Sequence, residues 1–189
     1  MDEQAPETVR VPADLAPLFR AAERVVSRYF AQRADRPAEG TIEIFGERYV
    51  LVRAASLSVE FFELVRGIFG PARRAEADDF ARNILFDLAH SIGKSDALNF
   101  HGKMGLEDPI AKLSAGAVHF AYTGWASVHI RPESRPVAGP DYCIVYDHPY
   151  SFESEAWINS GKSSDQVACI MSAGYSSGWS DCRVGTELV

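Results

Sequence analysis

Residues 117–130, AVHFAYTGWASVHI, decide how this chain is read. The stretch is rich in aromatic and β-branched residues, which predicts a long strand, bent at Gly124. Side chains alternate along a strand. His119, Ala121 and Thr123 would then share one face, and Val118, Phe120 and Tyr122 the other. After a loop, ESRPVAGP (133–140), the segment DYCIVYDH (141–148) reads as a second strand. On it Tyr142, Ile144, Tyr146 and His148 share a face, opposite Cys143 and Val145.

Upstream of this pair, Asp108-Pro109 marks a helix start, with Asp108 as N-cap and the helix running to Ser114 before Gly116. Residues 93–115 are otherwise less regular. A helix from Arg74 to Ile92 carries Phe80, Ile84, Leu85, Leu88 and Ile92 on one face. Before it, Ser58 caps a helix bearing Phe61, Phe62, Leu64, Val65, Ile68 and Phe69, which Gly70-Pro71 stops. TIEIFGERYVLVRA (41–54) is a short hairpin about Phe45-Gly46-Glu47. The first helix runs from a cap at Asp14 to about Arg33, and ADRPAEG (34–40) ends it. Its residues Leu15, Leu18, Ala22, Val25 and Tyr29 recur at heptad-like spacing, which fits a helix packed on its own domain or one paired across a dimer. Downstream, Ser151 caps a helix with Glu153 and Glu155 in its first turn. Asp165 caps a last helix carrying Val167, Ile170, Met171 and Tyr175. The order predicts an α+β fold, an antiparallel sheet covered by helices.

Composition narrows the function. The chain has 19 basic and 26 acidic residues, net charge −7, and no basic cluster, which argues against direct nucleic-acid binding and against docking on an anionic membrane. No apolar run spans a bilayer, and the polar N-terminus MDEQAPETVR lacks the pattern of a signal peptide, so the expected compartment is the cytoplasm. Three cysteines, Cys143, Cys169 and Cys182, form no disulfide framework.

Residues 117–179 hold all three tryptophans and three of the five histidines. His119, Phe120, Tyr122, Trp125, Tyr146, His148, Phe152 and Tyr175 are the candidate ligand-binding residues. An apolar wall with a few convergent polar groups is what a small-ligand pocket needs. The same residues also fit a filled core. No GxSxG, P-loop, GxGxxG or HExxH motif is present, and Asp147 and His148 would point to opposite faces of a strand, so no catalytic residue is assigned.

Two segments carry a resemblance: YDHPYSFESEAWI (146–158) and VACIMSAGYSSGW (167–179). They are similar to the SFEAEAH and Cys-aromatic-Met-x-x-GYASGY motifs of the vinyl-reductase-type small-molecule-binding domain. That domain is the sensory half of aromatic-responsive transcription activators of the XylR/DmpR type. GERYVLVRAASLSVEFFELVRGIFGPARRAEADDFARNIL (46–85) resembles the N-terminal part of the same module. The resemblance covers residues 40–189, with 40–115 as the N-terminal part of the sensory module and 116–189 as a ligand-binding domain truncated at its C-terminus; residues 1–39, a tail and helix read as a dimer arm, lie outside it. It implies a pocket for an apolar or aromatic effector, a homodimer with a fused or partner output domain, and no enzymatic activity. The family histidine that holds the ligand hydroxyl falls at His119 or Phe120. The family tryptophan falls at His148, and the aromatic wall before it at Tyr146. The family's structural zinc would take Cys169 as its first ligand, with the remaining Glu and two Cys beyond Val189. Cys182 matches no ligand position, and no organic cofactor is implied. Other readings are a dimerisation or interaction module without ligand, and a tetrapyrrole- or haem-related protein with His119 or His148 as axial ligand.

Overall fold

Many elements of the computed structural model follow from local rules of the sequence, and the largest departure lies in the stretch quoted first. The structure describes residues 8–137, 141–162 and 167–182. The helices are α1 (Ala16–Phe30), α2 (Val59–Phe69), α3 (Arg74–Met104), α4 (Pro109–Tyr122), α5 (Phe152–Asn159) and α6 (Ile170–Asp181). The strands are β1 (Val9–Arg10), β2 (Arg33–Arg36), β3 (Thr41–Ile44), β4 (Glu47–Tyr49), β5 (Val128–Ile130) and β6 (Tyr146–Asp147). The fold is α+β, with small sheets packed by helices. The chain divides into two units: the described residues up to Leu51 with Leu98–Pro149, and Val52–Ala97 with Tyr150–Cys182.

In the first unit, β2, β3 and β4 form an antiparallel sheet, with Ile42 opposite Tyr49. The predicted hairpin turns at Phe45-Gly46, both with positive φ (50° and 81°), the conformation that a two-residue hairpin loop requires. Lys103 holds this turn, its Nζ donating to the Phe45 carbonyl and to Glu47 Oε1, each at 2.7 Å. A second sheet has the order β1-β5-β6: β5 and β6 are antiparallel, as expected, and β1, a strand that the sequence reading did not anticipate, runs parallel to β5. The second strand is also shorter than expected. Of residues 141–148, Tyr146 and Asp147 form β6 and Cys143 makes an isolated bridge to Arg135.

The largest correction concerns residues 117–122, which are helical. Asp108 accepts from the Ala111 N–H at 2.7 Å, as expected of an N-cap, but α4 runs on through Gly116 to Tyr122. Ala115, Val118, His119 and Tyr122 recur at helical spacing, and burial of the first three outweighs local strand propensity. Gly124 is the helix stop, not a strand bend. At φ 80° it is the left-handed residue past the C-terminus; its N–H donates to the Ala121 carbonyl and that of Trp125 to the Phe120 carbonyl. The helix α3 likewise extends past Ile92 to Met104, through the stretch expected to be irregular, because Gly93 and Ala97 sit in its buried face. At α1 the N-cap position is Leu15, not Asp14, with no side-chain cap. The α1 residues Phe19, Ala22, Val26 and Tyr29 are buried, and α1 packs on α4. Residues 33–36, expected to follow the helix as a break, form β2.

In the second unit, Gly70 (φ 78°) and Pro71 end α2 as expected. Arg66 on α2 forms a two-pronged pair with Asp78 on α3, at 2.6 and 3.1 Å, both largely buried. The cap expected at Asp165 lies outside the described residues.

Candidate functional site

The helical geometry of α4 sends adjacent side chains about 100° apart, so His119 and Phe120 enter two different clusters of the first unit. His119 is fully buried among Phe30 (ring centroids 5.0 Å apart), Phe100 (5.5 Å) and Tyr29 (6.0 Å). Tyr122, one turn on, stacks on Phe30 at 5.0 Å. Tyr29 itself lies flat on Phe45 at 5.4 Å, and its hydroxyl is 3.3 Å from Tyr49 Oη and accepts from Asn99 Nδ2.

Phe120 turns the other way. Its ring stacks on His148 at 4.8 Å, and His148 stacks on Tyr146 at 4.7 Å. Trp125 completes the group at 5.5 Å from Phe120, the apolar contact that accompanies this kind of helix stop. The expected pair of strand faces is therefore not what joins these residues. A helix end, a tight turn and the short β6 bring Phe120, Trp125, Tyr146 and His148 together. Phe120 is buried, Trp125 and His148 are half-buried, and Tyr146 reaches the surface.

Burial sets the charge state of the imidazoles. Desolvation lowers the His119 pKa to about 3, helped by nearby His101. It lowers His148 to about 4, against the pull of Asp147, and His101 also to about 4. All three rings are neutral at pH 7, so each offers one N–H donor and one acceptor.

The other predicted residues lie in the second unit. Phe152 opens α5 and is half-buried. Tyr175 on α6 is buried, and its hydroxyl donates to Asp96 Oδ2 at 2.9 Å. Desolvation raises the Asp96 pKa to about 6, opposed by that hydrogen bond. Cys169 stands at the N-cap position of α6 with its Sγ 3.3 Å from the Ser151 hydroxyl. Among the described residues no three His, Cys, Asp or Glu side chains gather to hold a metal ion. One thiol does not make a tetrahedral zinc site, so these residues do not fit the metal that the resemblance implies.

Sequence reading missed what the two motifs do in this unit. Glu153 of SFESEA is buried and caps α6: Met171 N donates to Oε1 at 2.8 Å, and Ser172 N and Oγ donate to Oε2 at 2.9 and 2.8 Å. Burial pushes its pKa up while these donors pull it down. The glycines of GYSSG are close-approach residues. A Cβ on Gly174 would run into the Phe86 carbonyl, and one on Gly178 into the His90 carbonyl. Their spacing of four, repeated opposite by Gly93 against the Tyr175 carbonyl, is the signal that could have been used.

The sequence matches no family model and no curated protein. The fold is similar to that of a sensory domain. One solved structure with this fold is that of the phenol-responsive sensory domain of the transcription activator PoxR with phenol. The TM-score is 0.69 at 19% identity, covering 86% of this chain and 77% of that one. The likeness is one of fold. No described helix is long and apolar enough to cross a membrane.

Proposed function

We propose that this chain is a non-enzymatic sensory module that binds an apolar or aromatic small molecule and regulates a fused or partner output domain. The observation that carries this reading is the Phe120–His148–Tyr146 stack beside Trp125, an aromatic wall with one neutral imidazole and one phenol in it. Such a wall offers stacking area and a small number of polar groups to orient a ligand. The fold shared with a phenol-responsive domain supports the same reading. His119 and Tyr122 flank the wall on α4; Phe152 and Tyr175 belong to the second unit and are not part of this wall. Zinc at Cys169 is not part of the proposal.

Calorimetry against a panel of phenols, alkylbenzenes and simple heteroaromatics tests it. Ligand binding is expected to quench tryptophan emission through Trp125, and His148→Ala is expected to weaken affinity by roughly tenfold, the loss of one oriented hydrogen bond and a stacking partner. Circular dichroism should stay unchanged. A thermal shift that stays flat across the whole panel overturns the reading. It would favour an interaction module with a filled core, which the close ring contacts around buried His119 also fit.

A further inference from the structure

The part of α3 within the second unit has two apolar faces, and the smaller side chains are the buried ones. Ala77, Ala81, Leu85 and Ala89 are buried, and Gly93 continues the row under the Tyr175 backbone. Phe80, Ile84 and Leu88 form a second row and are 49%, 44% and 45% exposed. At 100° per residue these three lie within one narrow stripe, which exposed Ser91 and Ser95 continue. Single exposed apolar residues need no explanation, but a row of them on a helix that buries alanines marks a contact surface. Beside the stripe, on one flank, stand Glu76, Asn83, Asp87 and Lys94, all exposed.

We propose that this face is the seam of a two-fold dimer, with α3 of a second copy running antiparallel across it. A two-fold interface must be complementary to itself. Antiparallel helices centred near Ile84 place Phe80 against Leu88 of the second copy, and Ile84 against its own equivalent. On the flank the same register sets Glu76 against Lys94 and Asn83 against Asp87. In a parallel pair this flank would lie on opposite sides of the seam in the two copies, so Glu76 and Lys94 would not meet. The overlap of residues 74–96 gives roughly 34 Å of seam at 1.5 Å per residue. With its flanking side chains this is on the order of the 1,200 Å² at which stable interfaces begin. The α1 helix has less to offer, since Phe19, Ala22, Val26 and Tyr29 are already buried. The seam does not depend on the ligand reading.

Sedimentation velocity and light scattering on the full chain test the seam over a range of concentrations, with circular dichroism as the check on folding. The wild type is expected to be a dimer. Ile84→Glu opposes two carboxylates at the two-fold axis and should raise the dissociation constant roughly 100-fold or more. Glu76→Lys should raise it about tenfold, and adding Lys94→Glu to that variant should restore most of the loss. A wild-type chain that stays monomeric, or a dimer that Ile84→Glu leaves intact, overturns the seam. Failure of the charge exchange to rescue overturns the antiparallel arrangement.

Discussion

The two units solve the same problem, burying polar chemistry, in opposite ways. The first surrounds imidazoles with rings: His119 lies among Tyr29, Phe30 and Phe100, and His148 between Phe120 and Tyr146. The second surrounds carboxylates with hydrogen-bond donors and closes its helices on glycine: Glu153 takes three donors from α6, Asp96 takes the Tyr175 hydroxyl, and Gly174 and Gly178 let α6 approach α3. Ring packing tolerates adjustment, because an aromatic cluster can be opened by a ligand of similar shape. A backbone-to-backbone helix crossing has no side chain that can move aside. The contrast assigns adaptability to the first unit and rigidity to the second.

The sharpest way to break that contrast is Gly178→Ala. The new methyl meets the His90 backbone carbonyl, which cannot rotate away. A loss of roughly 3 kcal/mol is expected in urea denaturation, at the upper end of overpacking effects. If the loss stays below about 0.5 kcal/mol, the range of an ordinary surface change, the crossing is not the rigid feature claimed here. Glu153→Ala comes next. It leaves the Met171 and Ser172 N–H groups buried without their acceptor, and about 2 kcal/mol should be lost. Glu153→Gln should recover part of it, since an amide oxygen still accepts one of these bonds.

Much of the second unit's outline was legible in the sequence because its signals are local. Gly70-Pro71 stops α2, and Ser151 stands at the start of α5. The aromatic stretch of the first unit was not, because there the tertiary context decides. AVHFAY has the composition of a strand, and helical spacing of Ala115, Val118 and His119 becomes meaningful once α1 is known to pack on α4. Phe120, Trp125, Tyr146 and His148 are among the eight candidates that composition offers, yet Phe120 and Trp125 meet because Gly124 stops a helix where the sequence suggests a strand bend. Glu153 was legible as a first-turn charge, but its α6 partners lie 18 and 19 residues away, beyond any local pattern.

Acidification separates the units by sign. His119, His101 and His148 have folded pKa values of about 3, 4 and 4, below the usual 6.5. Below pH 6.5 the unfolded chain takes up protons that the folded first unit refuses, so its stability is full above 6.5 and falls as pH drops. Fully buried His119 alone should cost about 2 kcal/mol between pH 7 and pH 5. Asp96 works in reverse. Its folded pKa of about 6 exceeds the usual 3.8, so the second unit gains about 1 kcal/mol over the same interval. Hydrogen exchange at the two pH values, corrected for intrinsic rates, should show α1 and α4 losing protection while α6 holds or gains it. Equal loss in both units would mean that they do not respond separately.

Trp157→Phe probes the second unit with the smallest expected effect. The indole is buried, and among the described residues its Nε1 has no hydrogen-bond partner. It meets the Phe62 ring edge-on at 5.6 Å between ring centres, and the Arg66 guanidinium sits over the indole, 5.6 Å from the ring centre. A phenyl ring keeps the apolar contact and the cation attraction while removing the donor whose burial is unfavourable. The lost ring area and the removed penalty nearly cancel, so the change should stay within about 0.5 kcal/mol in the same denaturation assay. A loss above about 2 kcal/mol would mean that the indole N–H is engaged after all, and that this unit holds a nitrogen donor by the same strict hydrogen bonding it applies to Glu153.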